Sequence, residues 1–307
     1  MTGARRAIVL VDAEHHPPVL RRALAQLSAS GTVPVLALVV GGSEKVPAPG
    51  QAPDLDVPAR WPARVEKELT SAVGALRPDV IVDLSGSPAL TEQRRLQLIA
   101  TALAAGCAYE APGVRYEVPP LPPLSRRATV SIIAIGKRAG KTALSGALVK
   151  HGQQRGRKPV VVAMGRGGPS APVVVPSNEP VDLARLLQVA EAGGHAASDF
   201  YEDAVMTGAS TVGCWRVGDG PAGTLGSSNL AAAIAAAEEL AGDLNILEGS
   251  GAAIPACRPD AVLLVVPATA DPAALALGVP LRFLLADLVV FTLCDAVGAE
   301  QLAAVIE

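Results

Sequence analysis

The stretch Thr129-Val130-Ser131-Ile132-Ile133-Ala134-Ile135-Gly136-Lys137-Arg138-Ala139-Gly140-Lys141-Thr142 decides how this chain is read. A β-branched apolar run, Val130 to Ile135, meets a glycine turn that closes on Gly140-Lys141-Thr142. Ala143 to Lys150 then suits a helix. Strand, loop and helix in that order are what a phosphate-binding P-loop needs. Backbone N–H groups at the helix start can converge on a phosphate, Lys141 adds a positive charge, and the Thr142 hydroxyl can hold Mg²⁺. The spacing departs from the usual loop, which keeps four residues between its first glycine and the Gly-Lys pair. Here Gly136 and Gly140 enclose three, Lys137, Arg138 and Ala139, and Ile135 stands where the first glycine is expected. An ordinary basic strand-to-helix turn is the alternative. Lys137, Arg138 and Lys141 put three cations within five residues, and such cations repel one another without an anion. A polyphosphate bound by Gly136 to Ala143 is the expectation.

Composition narrows the class. The 307 residues suffice for two domains or one large α/β domain with an appendage. Half of them are apolar, yet no apolar run approaches the ~18 residues of a membrane helix. The longest, near Leu281–Leu293, is broken by Arg282 and Asp287. The opening Met1-Thr-Gly-Ala-Arg-Arg lacks the apolar segment of a signal peptide, so a cytoplasmic protein without membrane contact is expected. Aromatic residues are 3% and the net charge is −3, which argues against nucleic-acid partners. Cys107, Cys214, Cys257 and Cys294 match no zinc spacing and read as buried apolar residues in a reducing compartment.

Strands and helices alternate, which implies parallel sheets. Strands are predicted at residues 7–12, Val33–Val40 and Val80–Leu84, with helices from Pro17 to about Ser30, at Ala63–Leu76 and at Leu90–Ala105. Four prolines between Val118 and Ser125 cannot continue a helix or a central strand. They make a stiff connector, and the boundary is set at 126. Residues 1–126 then form a small Rossmann-like α/β domain without G-x-G-x-x-G, and 127–307 form a P-loop domain with a mainly parallel sheet. Its further strands are predicted at Pro159–Met164, Ser210–Cys214, Leu244–Leu247, Ala261–Val266 and Leu288–Leu293. Helices are predicted at Asp182–Ala192, Asp199–Met206, Leu230–Leu240 and Gly298–Ile306.

Candidate chemistry sits at the C-terminal ends of these strands, where open parallel sheets bind ligands. Gly165-Arg166-Gly167-Gly168-Pro169 follows one strand. Its glycines admit a close ligand and Arg166 can grip a phosphate; a plain turn is the alternative. Glu248-Gly249-Ser250-Gly251 follows another. Its carboxylate suits Mg²⁺ beside a P-loop, with helix capping as the alternative. Asp295, past the last strand, can contact a nucleotide base or cap a helix. Asp199, Glu202 and Asp203 lie at helical spacing and read as a solvated face, with metal or water positioning as the sharper reading. His15 and His16 stand at the ligand edge of the N-terminal sheet, where a surface loop is the alternative. His151 and His195 read as helix-end residues.

Together these stretches resemble the cyclic 2,3-diphosphoglycerate synthetase family. The carriers are the Gly136–Thr142 loop, Met164-Gly-Arg-Gly-Gly-Pro169, His195-Ala-Ala-Ser-Asp-Phe-Tyr-Glu-Asp-Ala204, Glu248-Gly-Ser-Gly-Ala-Ala-Ile-Pro255 and Asp12-Ala-Glu-His-His-Pro17. The loop and the Glu-Gly-Ser-Gly turn also fit the wider class that contains dethiobiotin synthetase. Family members are longer, so the resemblance implies a C-terminal region that these residues lack. It further implies ATP-dependent closure of 2,3-diphosphoglycerate into a cyclic phosphoanhydride, with ADP and phosphate released. On that reading Lys137, Arg138, Lys141 and Arg166 act in catalysis. Gly136 to Ala143 and Asp295 hold ATP, while Thr142 and Glu248 hold Mg²⁺. His15, His16, Arg166, Gly167, Gly168, Ser250 and Gly251 bind the phosphorylated small-molecule substrate, in a protein that could form a homodimer. Two other readings stand beside it: a dethiobiotin synthetase-like phosphorylation of a small acid, and a nucleotide-gated partner-binding P-loop protein.

Overall fold

The structure, a computed structural model, describes residues 3–45, 50–220, 222–272, 275 and 280–306. Two compact units are present, Met1–Val118 with Ala276–Leu284 and Pro119–Leu275 with Leu285–Glu307. Each is α/β with a mainly parallel sheet.

The first unit runs β1 (Arg5–Val11), α1 (Pro17–Ala29), β2 (Thr32–Val39), β3 (Ala59–Arg60), α2 (Val65–Leu76), β4 (Val80–Asp83), α3 (Glu92–Ala104), β5 (Ala108–Ala111) and β6 (Val114–Tyr116). The sheet order is β3-β2-β1-β4-β5-β6. All neighbours are parallel except β5 and β6. β1 is central, and its Ala7–Val11 segment is fully buried, which explains its unbroken apolar run. Pro17 opens α1, where a missing N–H costs nothing. Strand order reverses beside β1, with β2 on one side and β4 on the other. Such a reversal leaves a crevice at the strands' C-terminal ends.

The second unit continues with β7 (Ala128–Ala134), α4 (Lys141–Gln154), β8 (Pro159–Gly165), β9 (Val173–Val175), α5 (Leu183–Glu191), α6 (Asp199–Thr207), β10 (Ser210–Val217), β11 (Ser227–Ser228), α7 (Leu230–Glu238), β12 (Leu244–Gly249), β13 (Ala261–Pro267) and β14 (Leu288–Thr292). A last helix spans Ala299–Ile306. The path through the sheet is β11-β10-β8-β12-β7-β13-β14, with β9 paired antiparallel to β10. β12 inserts between β7 and β8, and Glu248 faces Ile132 on one side and Ala163 on the other. β10 runs on to Val217 because β8 pairs it as far as Trp215 and β11 takes Arg216 and Val217. The expected end at Cys214 came from the break in the apolar run. Strand pairing carries the chain past that break.

The proline-rich connector is docked on this second unit. The Arg258 N–H donates to the Pro122 carbonyl at 2.9 Å, and Leu124 packs on the apolar cluster of β8, β10 and α7. The Arg127 guanidinium donates to the carbonyls of Ala237, Glu238 and Leu240. These are carbonyls that the end of α7 leaves without helical partners. Cys107, Cys214 and Cys257 are buried free thiols and Cys294 is exposed. Burial pushes the Cys214 thiol up to about 12, so it is inert. No helix among the described residues is long and apolar enough to cross a membrane.

Candidate active site

The loop after β7 turns through two left-handed residues, Arg138 at φ 58° and Gly140 at φ 92°. Gly140 is also the N-cap of α4. A Cβ there would lie 3.3 Å from Cγ2 of Thr292, so both the turn and its neighbour require glycine. Thr292, at the end of β14, donates its hydroxyl to the Ala139 carbonyl at 2.7 Å and pins the loop from outside. The first turn of α4 contains no acidic residue, which leaves the positive end of its dipole for an anion.

A cavity of about 770 Å³ opens over this helix start. Lys137 to Ala143 form one wall and Glu248 to Gly251 another, while Asp199, Glu202 and Met206 of α6 close a third. Lys141 is 8% exposed. Its ammonium donates to the carbonyls of Gly136 at 3.3 Å and Gly251 at 3.2 Å, tying the loop to the turn after β12. Burial holds the Lys141 amine below its ordinary value; Glu248 and Asp199 oppose that, and Arg216 and Arg166 add to it.

Thr142 donates its hydroxyl to Glu248 Oε1 at 3.0 Å. Glu248 is buried, and its Oε2 has no hydrogen-bond partner. Asp203 is fully buried and neither of its oxygens meets a donor. It faces Glu248, and burial, then that carboxylate, push the Asp203 carboxyl well above the usual carboxylate range. Burial raises Glu248 as well, opposed by the neighbouring Asp203 carboxyl, by the Thr142 hydroxyl and by the charge of Lys141. Two buried carboxyl groups in contact share a proton or a cation. The solvated face expected for Asp199, Glu202 and Asp203 is therefore corrected. Glu202 is exposed, but Asp199 is half-buried and Asp203 fully buried. The reason is that α6 packs on α4, β8 and β10, which turns the Asp199–Asp203 face inward.

These groups fit Mg²⁺. Thr142 and Glu248 offer hard oxygen ligands, and Oε2 of Glu248 has no hydrogen-bond partner. Among the described residues no three His, Cys, Asp or Glu side chains could hold a metal by themselves. Mg²⁺ takes one or two protein oxygens and fills the rest from phosphates and water.

A second group of residues adjoins this one. Arg166 follows β8, and Arg216 lies near the end of β10 at 2% exposure. Arg216 donates to the Ser250 carbonyl at 2.6 Å. Gly251, at φ 63°, sits where a Cβ would come within 2.9 Å of Arg166 Nη2 and 3.1 Å of Arg216 Nη2. Lys141, Arg166 and Arg216 thus converge on one turn. Gly167 is exposed and Gly168 half-buried, and Cβ atoms added there would strike the His195 ring and the Cys214 carbonyl. Asp295 lies in an exposed 3₁₀ turn, Cys294–Ala296, apart from the residues that line the cavity.

In the first unit, His15 and His16 stand at the crevice edge. His15 Nδ1 is 2.7 Å from Oδ1 of Asp12, which is fully buried. The N–H of Gly86, past β4, donates to Asp12 Oδ2. His16 is the N-cap of α1 without a side-chain cap bond.

Sequence reasoning passed over Arg216, Asp219 and Thr292, and misplaced Asp203. An arginine closing an apolar strand, followed by Gly218-Asp219-Gly220, was the available signal for the first two.

Fold and loop together define the class: an α/β P-loop protein with a separate Rossmann-like N-terminal unit. The chain belongs to the cyclic 2,3-diphosphoglycerate synthetase family. That family's N-terminal domain matches residues 6–117 and its P-loop domain matches 129–307. A relative from Rubrobacter xylanophilus named cyclic 2,3-diphosphoglycerate synthetase is 36% identical over 300 residues, covering 94% of this chain and 66% of its own. Relatives of the same name from Thermococcus kodakarensis and Methanothermobacter thermautotrophicus are 37% and 33% identical, covering 96% and 100% of this chain and 68% and 69% of theirs. The chain thus spans about two thirds of the length of these relatives. A solved structure of a DUF1611 family protein from Anabaena variabilis aligns over 86% of this chain and 74% of its own at 15% identity and a TM-score of 0.23.

Proposed function

We propose that this chain catalyses ATP-dependent closure of 2,3-diphosphoglycerate to its cyclic phosphoanhydride, releasing ADP and phosphate, in the cytoplasm. The observation that carries the reading is the convergence of Lys141, Arg166 and Arg216 on Gly251, beside the loop. The loop backbone and its lysine already cradle the phosphates of a nucleotide, and the two arginines come in addition. The acceptor carries two phosphates and a carboxylate, up to about five negative charges near neutral pH. Bringing it against ATP requires surplus cations at that point.

In this reading the Gly136–Ala143 backbone and Lys141 hold the polyphosphate, and Lys137 and Arg138 screen its outer charge. Thr142 and Glu248 hold Mg²⁺, which when bound neutralises phosphate charge and orients the terminal group. Arg166, Gly167, Gly168, Ser250 and Gly251 receive the acceptor. One acceptor phosphate oxygen attacks the γ-phosphorus in line and the bond to ADP breaks. The second acceptor phosphate then attacks the phosphorus thus activated. A new P–O–P bond closes the ring and inorganic phosphate leaves. No protein nucleophile is needed, and proximity supplies much of the rate. His15 and His16, at the crevice edge of the N-terminal unit, are proposed as substrate-binding residues of that unit.

Phosphorus NMR of reactions with ATP, Mg²⁺ and 2,3-diphosphoglycerate tests the proposal. A cyclic pyrophosphate signal that grows with ADP and phosphate is expected. ATP hydrolysis indifferent to 2,3-diphosphoglycerate, without a cyclic product, would remove it. Phosphorylation of a monoacid instead would favour the dethiobiotin synthetase-like reading.

A further inference from the structure

Asp219 occupies a place that an anion would suit. Its Oδ2 is 3.4 Å from Arg216 Nη2 and 3.6 Å from Arg166 Nη2. Among the described residues, each of these guanidiniums forms its ion pair with this carboxylate. Both contacts use the same oxygen and both exceed the ~2.7–2.9 Å of a good charge-assisted hydrogen bond. Arg216 is 2% exposed, and its Nε has no partner at all. Its Nη1 donates to the Gly218 carbonyl at 3.2 Å and its Nη2 to that of Ser250, so Nε is the buried donor left for a further acceptor oxygen. The carboxylate itself sits between Gly218, at φ 70°, and Gly220, and its own side-chain rotation can take it out of the seat. Gly251 leaves the space beside both arginines free of a side chain.

We propose that Asp219 is a built-in stand-in for a phosphoryl group: in the unliganded protein it fills the seat between Arg166 and Arg216, and an incoming phosphate displaces it. A phosphoryl group presents three oxygens, so each arginine can receive its own, and Arg216 Nε can be used too. The seat lies next to Lys141 at the turn Ser250-Gly251, where the carbonyls of both residues are already held by Arg216 and Lys141. Without a placeholder, two arginines beside a buried lysine would repel one another. With it, the charge is balanced until an anion arrives, and only an anion able to outcompete a carboxylate takes the seat. Arg216 and Asp219 are thus specificity-determining residues, selecting phosphoryl over carboxyl groups. The inference rests on the reading above only for the identity of the acceptor.

The test is isothermal titration of protein saturated with β,γ-imido ATP and Mg²⁺, so that the nucleotide loop is full, using inorganic phosphate as the probe. Removing the competitor should make Asp219→Asn bind phosphate roughly fivefold more tightly than wild type, about the worth of a partly exposed ion pair. Asp219→Ser should do the same and serves if the amide disturbs the fold. Adding Arg166→Gln to Asp219→Asn should abolish the gain. A mere structural brace would not show that coupling, because losing a brace loosens the seat. Phosphate binding by both Asp219 variants equal to or weaker than wild type, absence of binding included, overturns the proposal. The same titration with 2,3-diphosphoglycerate is read separately. If wild type ignores it while the Asp219 variants still gain phosphate affinity, the seat stands and the acceptor assignment falls.

Discussion

The Thr142 hydroxyl donates to Glu248 Oε1 at 3.0 Å, joining the first turn of α4 to the end of β12. The phosphate loop and the carboxylate strand are thereby in register, as a shared cation would need. Glu248→Gln keeps the shape and removes the charge. In the presence of ADP, Mg²⁺ should raise the melting temperature of wild type and leave that of Glu248→Gln nearly unmoved. An equal Mg²⁺-induced shift in the two proteins would make Glu248 a structural residue.

Lys141 should matter for turnover and little for the fold. Its partners are two backbone carbonyls, Gly136 and Gly251, and burial already opposes its charge. Lys141→Ala is expected to lose ATP turnover while keeping its circular dichroism spectrum and melting within a few degrees of wild type. Wild-type turnover in a folded Lys141→Ala protein would take the loop out of the mechanism.

Asp203 makes the opposite prediction. Its carboxyl is held well above the ordinary value of 3.8 by burial and by Glu248. The native state therefore keeps a proton that the unfolded state releases, and wild-type stability falls as pH rises from about 3.8 towards the native value. Asn does not titrate. Asp203→Asn should be more stable than wild type near neutral pH, by roughly 1–3 kcal/mol, the scale of an unsatisfied buried group. The gain should shrink as pH falls and vanish only well below 3.8, where Asp203 itself is protonated in both states. Urea denaturation at several pH values measures it; a loss of stability at neutral pH would show that Asp203 has a partner that Asn cannot keep.

Arg166 separates the two substrates. It is half-exposed and placed beside Gly251 rather than on the phosphate loop. Arg166→Ala should raise the apparent KM for the diphosphorylated acceptor roughly 10- to 150-fold, the range for losing one hydrogen-bonding group on a charge. Its effect on the KM for ATP should be smaller. Lys should rescue poorly, because a point charge does not reproduce the guanidinium fork. Steady-state kinetics with each substrate varied against saturating partner decides; a change confined to the ATP term would shift acceptor binding to the His15–His16 region.

In the N-terminal unit, Asp12 supplies a pH-dependent term of the other sign. Burial pushes its carboxyl up, but hydrogen bonds from Gly86 and His15 outweigh this and leave it below 3.8. Its contribution is present above that value and is lost as pH falls through the lower native value. Asp12→Asn should lower stability at neutral pH and flatten the acid limb of the stability profile. An unchanged acid limb would mean that the His15 contact forms no part of the folded unit.

Much of this was written locally in the chain. The phosphate loop could be read because β-branched residues, a glycine turn and a helix follow one another within Thr129–Lys150, and because parallel strands keep long apolar runs. The strand-end positions of Arg166 and Glu248 followed from the same runs. Asp203 was misjudged because spacing on a helix says which residues share a face and nothing about what covers it. Only the packing of α6 on α4, β8 and β10 decides that. Arg216 and Asp219 were passed over because their meeting depends on where β8, β10 and β12 end relative to one another. That is a property of sheet order, which no local pattern carries.

The insertion of β12 between β7 and β8 bears on how this unit assembles. The strand that opens the phosphate loop and the strand that carries Arg166 are not neighbours; residues 244–249 fill the gap between them. Until that segment has been made and has arrived, β7 and β8 lack their common partner, and the turn that anchors Lys141 does not exist. Closing a chain segment of such length is slow compared with forming local contacts. During synthesis the strands of the N-terminal sheet can pair first, while the phosphate loop waits, open-edged, for a strand more than a hundred residues downstream. The chain therefore delivers both flanking strands, β7 and β8, before the strand that joins them.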